Sequence, residues 1–175
     1  MLLNLYIWSF SDMSGVILIL GSNIGDSFTI LTRAREMIQS AIGKIEKTSQ
    51  VYLTEAWGYH EQPPFLNQAL LVNTNLIPRL LLEKINQLEK ELGRVRLEKW
   101  RERTIDIDII YYKNEVIDEP DLKIPHPEMQ HRKFVMVPVA EIAAEMQHPV
   151  LKLSNQQLLE RINDPLRVEV YFLGS

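Results

Sequence analysis

Residues 16–20 are an unbroken aliphatic run that stops at Gly21-Ser22-Asn23-Ile24-Gly25-Asp26, the pattern of a buried strand running into a turn. Ile30, Leu31, Ala34, Met37, Ile38, Ala41 and Ile42 then recur at helical spacing. Asp26 or Ser27 suits the start of that helix, and Gly43 suits a left-handed stop. A strand is predicted around residues 51–54 and another over 65–74, with a loop containing Gly58, Pro63 and Pro64 between them. Pro78 opens a second helix at a first-turn position, with Leu81, Leu82, Ile85, Leu88 and Leu92 on one face and Gly93 at its end. Residues 104–112 read as a strand in which Ile105, Ile107 and Ile109 alternate with Thr104, Asp106 and Asp108.

This order, β-α-β-β-α-β, is the split-βαβ, ferredoxin-like α+β arrangement, in which helices cover one face of an antiparallel sheet. Further short strands are expected within residues 115–124, helices over 135–145 and 156–161, and a last strand over 168–173. The first ten residues are apolar, but a spanning helix needs about 20. They also lack the positive start of a secretory signal, since the first basic residue is Arg33. A start at Met13 reads equally well. Residues 1–13 are therefore taken as a disordered N-terminal extension and 14–175 as a single domain.

Composition narrows the function classes. With 175 residues, 46% hydrophobic and 24% charged, the chain is an ordinary globular protein without a push toward disorder or membrane. The absence of cysteine excludes disulfides, thiolate metal sites and a cysteine nucleophile, and it fits a reducing cytoplasm. A net charge of -4 argues against wrapping nucleic acid with the whole surface. We expect a cytoplasmic monomer that binds neither nucleic acid nor membrane.

The sharpest chemical signal is Asp106-Ile107-Asp108, because residues i and i+2 of a strand project from one face about 6.5 to 7 Å apart. Two carboxylates aimed together can hold Mg²⁺ while leaving positions for water and phosphate oxygens. Alone, the pair fits a solvated strand face better than a metal site. The preceding segment adds weight, because Arg94, Arg96, Lys99, Arg101 and Arg103 place five cations within ten residues of an acidic protein. Metal and guanidinium groups together are what phosphoryl transfer uses; a solvated basic loop or an RNA-contacting patch are the other readings. Gly21-Ser22-Asn23 offers small polar groups after the first strand. His126 is held between Pro125 and Pro127, with Arg132 six residues on. Aromatic Trp57 and Phe65 near Asn67 could sandwich and read a planar heterocycle. Asn86 and Glu89 are helical neighbours at the edge of an apolar face.

Taken together these segments resemble the 6-hydroxymethyl-7,8-dihydropterin pyrophosphokinase family. The resemblance lies in Gly21-Ser22-Asn23, Thr54 with Trp57-Gly58, Phe65-Leu66-Asn67, Leu88-Glu89, Leu92-Gly93-Arg94-Val95-Arg96, Trp100, Arg103-Thr104-Ile105-Asp106-Ile107-Asp108, Pro125-His126-Pro127 and Arg132-Lys133-Phe134, all in the same order. It implies a ferredoxin-like fold that binds ATP and the pterin side by side and transfers pyrophosphate to the pterin hydroxyl with release of AMP. Asp106 and Asp108 would ligate two Mg²⁺ ions. Thr54, Gly58 and Asn67 would read the pterin's polar edge, with Phe65 and Phe134 stacking on its ring. Arg96, Arg103, His126 and Arg132 would bind phosphates, and Arg94 would lie on a mobile catalytic loop. Asn86, Glu89, Lys99, Trp100 and the backbone of Ile109 would help to hold the nucleotide. Loop closure would involve residues 43–51 and 93–103. The sequence departs from the family pattern at Ala56, at Asn86 and at Trp100-Arg101-Glu102-Arg103. Two other functions fit parts of the pattern: an RNA-recognition module of the same strand order, and a nucleotidyl transferase or cyclase with paired strand aspartates.

Overall fold

The computed structural model describes residues 15–55, 63–93 and 104–172. Strand β1 (Val16–Ser22) leads into helix α1 (Ser27–Ala41), followed by β2 (Lys44–Thr48), β3 (Tyr52–Thr54) and β4 (Phe65–Asn73). Helix α2 (Pro78–Glu91) precedes β5 (Asp106–Tyr112), the hairpin of β6 (Ile117–Glu119) and β7 (Leu122–Ile124), and helix α3 (Lys133–Ala143). Helix α4 (Asn155–Glu160) and β8 (Val168–Val170) complete the order. The main sheet runs β5-β1-β4-β3-β8, with β2 pairing on β4 alongside β3, and each of these pairings is antiparallel. The expected α+β ferredoxin-like core is present, with its first and last strands adjacent.

Local chemistry explains the element ends. Asp26, not Ser27, caps α1: its carboxylate accepts the Thr29 N–H at 3.1 Å and the Thr29 hydroxyl at 2.6 Å, satisfying a donor the helix leaves open. Pro78 begins α2, where its missing N–H costs nothing, and Gly93 follows that helix with φ +87. Gly43 is a correction. It does not adopt the left-handed conformation, and a Cβ there would meet the Asn73 carbonyl oxygen at 2.1 Å. Close approach of two backbones, rather than a turn, requires glycine at that position.

The two faces of the sheet carry separate apolar clusters. On one, Val16, Leu18, Leu20, Leu66, Leu70, Ile107 and Ile109 are buried with Leu31 and Ile38 of α1 and Leu81, Ile85 and Leu88 of α2. On the other, Ile17, Ile19, Ala69 and Tyr111 are buried with Val135, Met136 and Val139 of α3 and Leu158 of α4. Helices thus cover both faces, where the sequence pattern predicted one. The reason is α3, whose buried positions Val135, Met136, Val139 and Ile142 require an apolar partner surface of their own. Tyr111 donates to Asn155 Oδ1 at 2.8 Å and Asn155 Nδ2 donates to the Ala143 carbonyl at 2.8 Å, tying β5 to the end of α3.

Strand β5 carries one irregularity. Ile17 pairs with Tyr111 but Leu18 pairs with Ile109, so Ile110 is an extra residue, a β-bulge. Asp106 and Asp108 precede it; Tyr111 and Tyr112 follow it. No helix among the described residues is long and apolar enough to cross a membrane.

Candidate active site

The cross-strand register assembles the site. Asp106 pairs with Gly21, Gly21 with Asn67, and Asn67 with Tyr52, so these four share one row and one face of the sheet. Asp108 pairs with Ile19, and Ile19 with Ala69, in the next row. Ile19 and Ala69 lie under α3, which assigns Asp106, Asp108 and Asn67 to the α3 face. Ile107 and Ile109 belong to the opposite cluster. Asp106 is half-buried and Asp108 exposed. The structure therefore brings the predicted carboxylate pair onto one face and sets Asn67 two strand spacings away, roughly 10 Å.

Between them Gly21 leaves a gap. A Cβ at that position would come 3.1 Å from Asn67 Oδ1. Asn67 itself is buried and its Nδ2 donates to Thr54 Oγ1 at 2.8 Å, which fixes the amide's orientation and turns Oδ1 toward Gly21. Phe65 pairs with Thr54 in β3 and is half-buried. Thr54, Phe65 and Asn67 thus form one corner, as predicted.

The remaining predicted groups come from three elements. His126 donates its N–H to the Ile110 carbonyl at 3.0 Å, which attaches its loop to β5 at the bulge; the preceding Ile124-Pro125 peptide is cis. Its Nδ1 accepts the Glu128 N–H at 3.2 Å. Burial, and then the charge of Arg132, push His126 down to about 4. The ring is neutral near pH 7 with its proton on Nε2, and it acts as a hydrogen-bond donor rather than a cation. Arg132 precedes α3, and its guanidinium lies 6.0 Å from the centroid of the Phe134 ring, an arrangement in which cation and ring attract. Phe134 packs against the α3-side cluster.

Glu89 projects from α2 on the other face, is buried, and accepts the Ile107 N–H at 2.9 Å. It braces the strand from behind. Since Ile107 directs its N–H away from β1, Ile109, two residues on, presents its backbone to the same outer edge. Asn86, half-buried on α2, precedes Glu89 by less than one turn. Gly58, Arg94, Arg96, Lys99, Trp100 and Arg103 lie outside the described residues, as does all but Gly93 of the second loop expected to close. The flanks of the cation-rich stretch do meet: Thr104 Oγ1 donates to the Gly93 carbonyl at 3.3 Å. Residues 44–48 of the first expected closing loop are instead strand β2. Asn23 Nδ2 donates to the Pro63 carbonyl at 3.3 Å, a tether between the first turn and the segment leading into β4.

Two contacts were not anticipated from the sequence. Glu141 of α3 accepts the Tyr52 hydroxyl at 2.9 Å and the Gln50 N–H at 3.0 Å, and burial with that bond pushes Tyr52 up to about 12. Asp164 accepts the Lys133 N–H at 3.0 Å. Both join segments far apart in the chain, and no local pattern signals them.

Among the described residues no three metal-ligating side chains gather. Two carboxylates fit Mg²⁺ of the kind that keeps water and substrate phosphates as its other ligands, rather than an all-protein cage.

Strand order and helix placement thus define an α+β protein of ferredoxin-like fold, with a polar site on the α3 face. The family model described as 7,8-dihydro-6-hydroxymethylpterin-pyrophosphokinase (HPPK) matches residues 17–144, and the chain belongs to this family. It is 44% identical over 140 residues to the 2-amino-4-hydroxy-6-hydroxymethyldihydropteridine pyrophosphokinase of Aquifex aeolicus, covering 80% of this chain and 87% of that one. The protein of the same name from Bacillus subtilis is 41% identical, with 79% and 83% covered. Among solved structures, wild-type Plasmodium falciparum HPPK-DHPS superimposes with a TM-score of 0.68 at 17% identity, over 84% of this chain and 44% of that chain. That likeness concerns the fold, and the chain spans less than half of the longer protein.

Proposed function

We propose that the chain transfers a pyrophosphoryl group from ATP to the hydroxymethyl oxygen of 6-hydroxymethyl-7,8-dihydropterin, releasing AMP, as a transferase of folate biosynthesis. The observation that carries this reading is the row Asp106–Gly21–Asn67. It sets a fixed amide beside a side-chain-free gap, with a carboxylate pair at the far end. A bicyclic heterocycle with a short alcohol arm matches that span. Asn67, oriented by Thr54, reads the polar edge together with Gly58, while Phe65 and Phe134 flank the ring.

Asp106 and Asp108 hold two Mg²⁺ ions, which when bound neutralise phosphate oxygens. Arg132 contributes charge and His126 a hydrogen bond to the phosphates. Arg94, Arg96 and Arg103 add the remaining cations, and Asn86, Glu89, Lys99, Trp100 and the edge of β5 at Ile109 hold the nucleotide. In the reaction the new bond from the hydroxymethyl oxygen to the β-phosphorus forms as the bond to the bridging oxygen of AMP breaks, and the hydroxyl proton passes to solvent. With its proton on Nε2, His126 cannot take that proton. Placement and charge stabilisation supply the catalysis. The protein acts as a single-domain cytoplasmic monomer without nucleic acid or membrane.

The test is incubation with ATP, Mg²⁺ and the hydroxymethyl dihydropterin, followed by mass spectrometry. AMP and the pterin pyrophosphate are expected. Their absence with folded protein overturns the reading, and release of inorganic pyrophosphate instead indicates nucleotidyl transfer.

A further inference from the structure

The first turn of α3 carries Arg132 and Phe134 on either side of Lys133, and its capping group comes from far along the chain. Arg132, at the position before the helix, makes no side-chain capping bond. Asp164 does so in its place: Oδ2 accepts the Lys133 N–H at 3.0 Å, while Oδ1 accepts the Leu166 N–H at 3.0 Å. Both carboxylate oxygens are thus engaged, one on the helix and one on its own turn, and Pro165 between Asp164 and Leu166 restricts the backbone there. The carboxylate is held in place before it holds the helix.

The rest of α3 is secured by other contacts. Glu141 accepts from Gln50 and Tyr52, and the Ala143 carbonyl accepts from Asn155. Loss of Asp164 would remove the side-chain cap of the first turn alone, where the guanidinium of Arg132 and the ring of Phe134 sit 6.0 Å apart. Asp164 lies beyond residues 17–144, the stretch matched by the family model.

We propose that Asp164 is a positioning residue for the active site, fixing Arg132 toward phosphate and Phe134 toward the pterin through the backbone of Lys133. The inference rests on the roles given to Arg132 and Phe134 under the proposed function. It assigns the C-terminal segment a part in binding, beyond closing the sheet with β8.

The experiment compares steady-state kinetics and thermal unfolding of Asp164→Ala, Asp164→Asn and a control, Ser154→Ala. Ser154 caps α4 by accepting the Gln157 N–H at 3.2 Å, outside α3 and the strands that carry the site. Asp164→Ala is expected to raise KM for pterin and for ATP by about fivefold or more, with a smaller change in kcat, because misplacing binding groups weakens substrate capture. Asp164→Asn is expected to fall between, since the Nδ2 that replaces one carboxylate oxygen cannot accept the N–H facing it. Ser154→Ala is expected to lower the Tm to a similar degree while leaving both KM values within about twofold.

Asp164→Ala with wild-type KM values overturns the proposal, and so does a Ser154→Ala variant that shifts KM equally. Should Asp164→Ala not fold, Asp164→Asn decides, with unchanged KM values counting against the proposal. A wild-type protein without turnover would instead defeat the proposed reaction. Asp164 is then judged by amide exchange at Lys133, which is expected to quicken about tenfold or more in Asp164→Asn and overturns the capping role if unchanged.

Discussion

Glu89 Oε1 accepts the backbone N–H of Ile107 at 2.9 Å, so a buried carboxylate from α2 fastens the one residue that separates Asp106 from Asp108. Strand β5 is at the edge of its sheet, and this bond does the work of a missing neighbour strand. A hydrogen bond to a charged acceptor contributes about 1.5–3 kcal/mol. Glu89→Ala should therefore lower stability by roughly 1–3 kcal/mol in urea unfolding. It should also raise the Mg²⁺ concentration needed for half-maximal activity, as the carboxylate pair loses its fixed backbone. Glu89→Gln keeps an acceptor and should show a smaller change in both measurements.

Asp106→Asn and Asp108→Asn should each reduce kcat by about 10²-fold or more. The exchanges keep shape and remove charge, so circular dichroism and Tm should stay close to wild type. Chelation of divalent cations should abolish turnover, and added Mg²⁺ should restore it. Retention of wild-type rates in either variant would remove the carboxylates from the site.

Gly21→Ala brings a methyl group to 3.1 Å from Asn67 Oδ1, close enough that the amide must shift by a few tenths of an ångström. Its hydrogen bond to Thr54 must then weaken. We expect KM for the pterin to rise about tenfold, in line with the cost of spoiling a buried polar recognition group, while KM for ATP changes less than about twofold. Equal changes in the two constants would show that Asn67 does not discriminate between the substrates.

The carboxylate pair and its strand were legible because period-2 alternation of Ile105, Ile107 and Ile109 with Thr104, Asp106 and Asp108 is a local signal. Both principal helices were legible for the same reason. Strand β2 was not. Lys44, Glu46, Lys47 and Thr48 are exposed, so the segment lacks the apolar alternation that marks a strand. Its conformation follows from pairing with Lys44 opposite Asn73. The role of Gly43 is not legible locally, because closeness to Asn73 is a tertiary property that the preceding helix does not reveal. The helix was expected only from residue 135, whereas α3 begins at Lys133 directly after Arg132; Asp164 and Glu141 act across more than 30 residues and carry no spacing signature.

His126 gives a pH dependence of definite sign. Its ordinary value is 6.5, and burial with the Arg132 charge lowers it to about 4 in the folded protein. Between these values the unfolded chain takes up a proton that the folded one refuses. Stability from this group is therefore complete above pH 6.5, declines as the pH falls, and levels off below about 4. The difference in urea midpoint between wild type and His126→Gln should shift against wild type from pH 7 to pH 5. An anion bound beside the ring favours its charged form. ATP binding near pH 5.5 should consequently be accompanied by proton uptake, measured by calorimetry in buffers of different ionisation enthalpy.

The extra residue at Ile110 makes β5 sensitive to length in a way substitution would not expose. Upstream, even-numbered positions look toward α3; downstream, Tyr111 takes that side and Tyr112 reaches the Leu76 carbonyl on the other at 2.8 Å. Deleting Ile110 would straighten the ladder and leave both halves on their own faces, at the cost of the carbonyl that accepts the His126 N–H. Deleting Ile107 instead would turn one of the aspartates into the oily layer. Natural variation in this strand should thus tolerate exchanged side chains far better than a codon gained or lost upstream of the bulge.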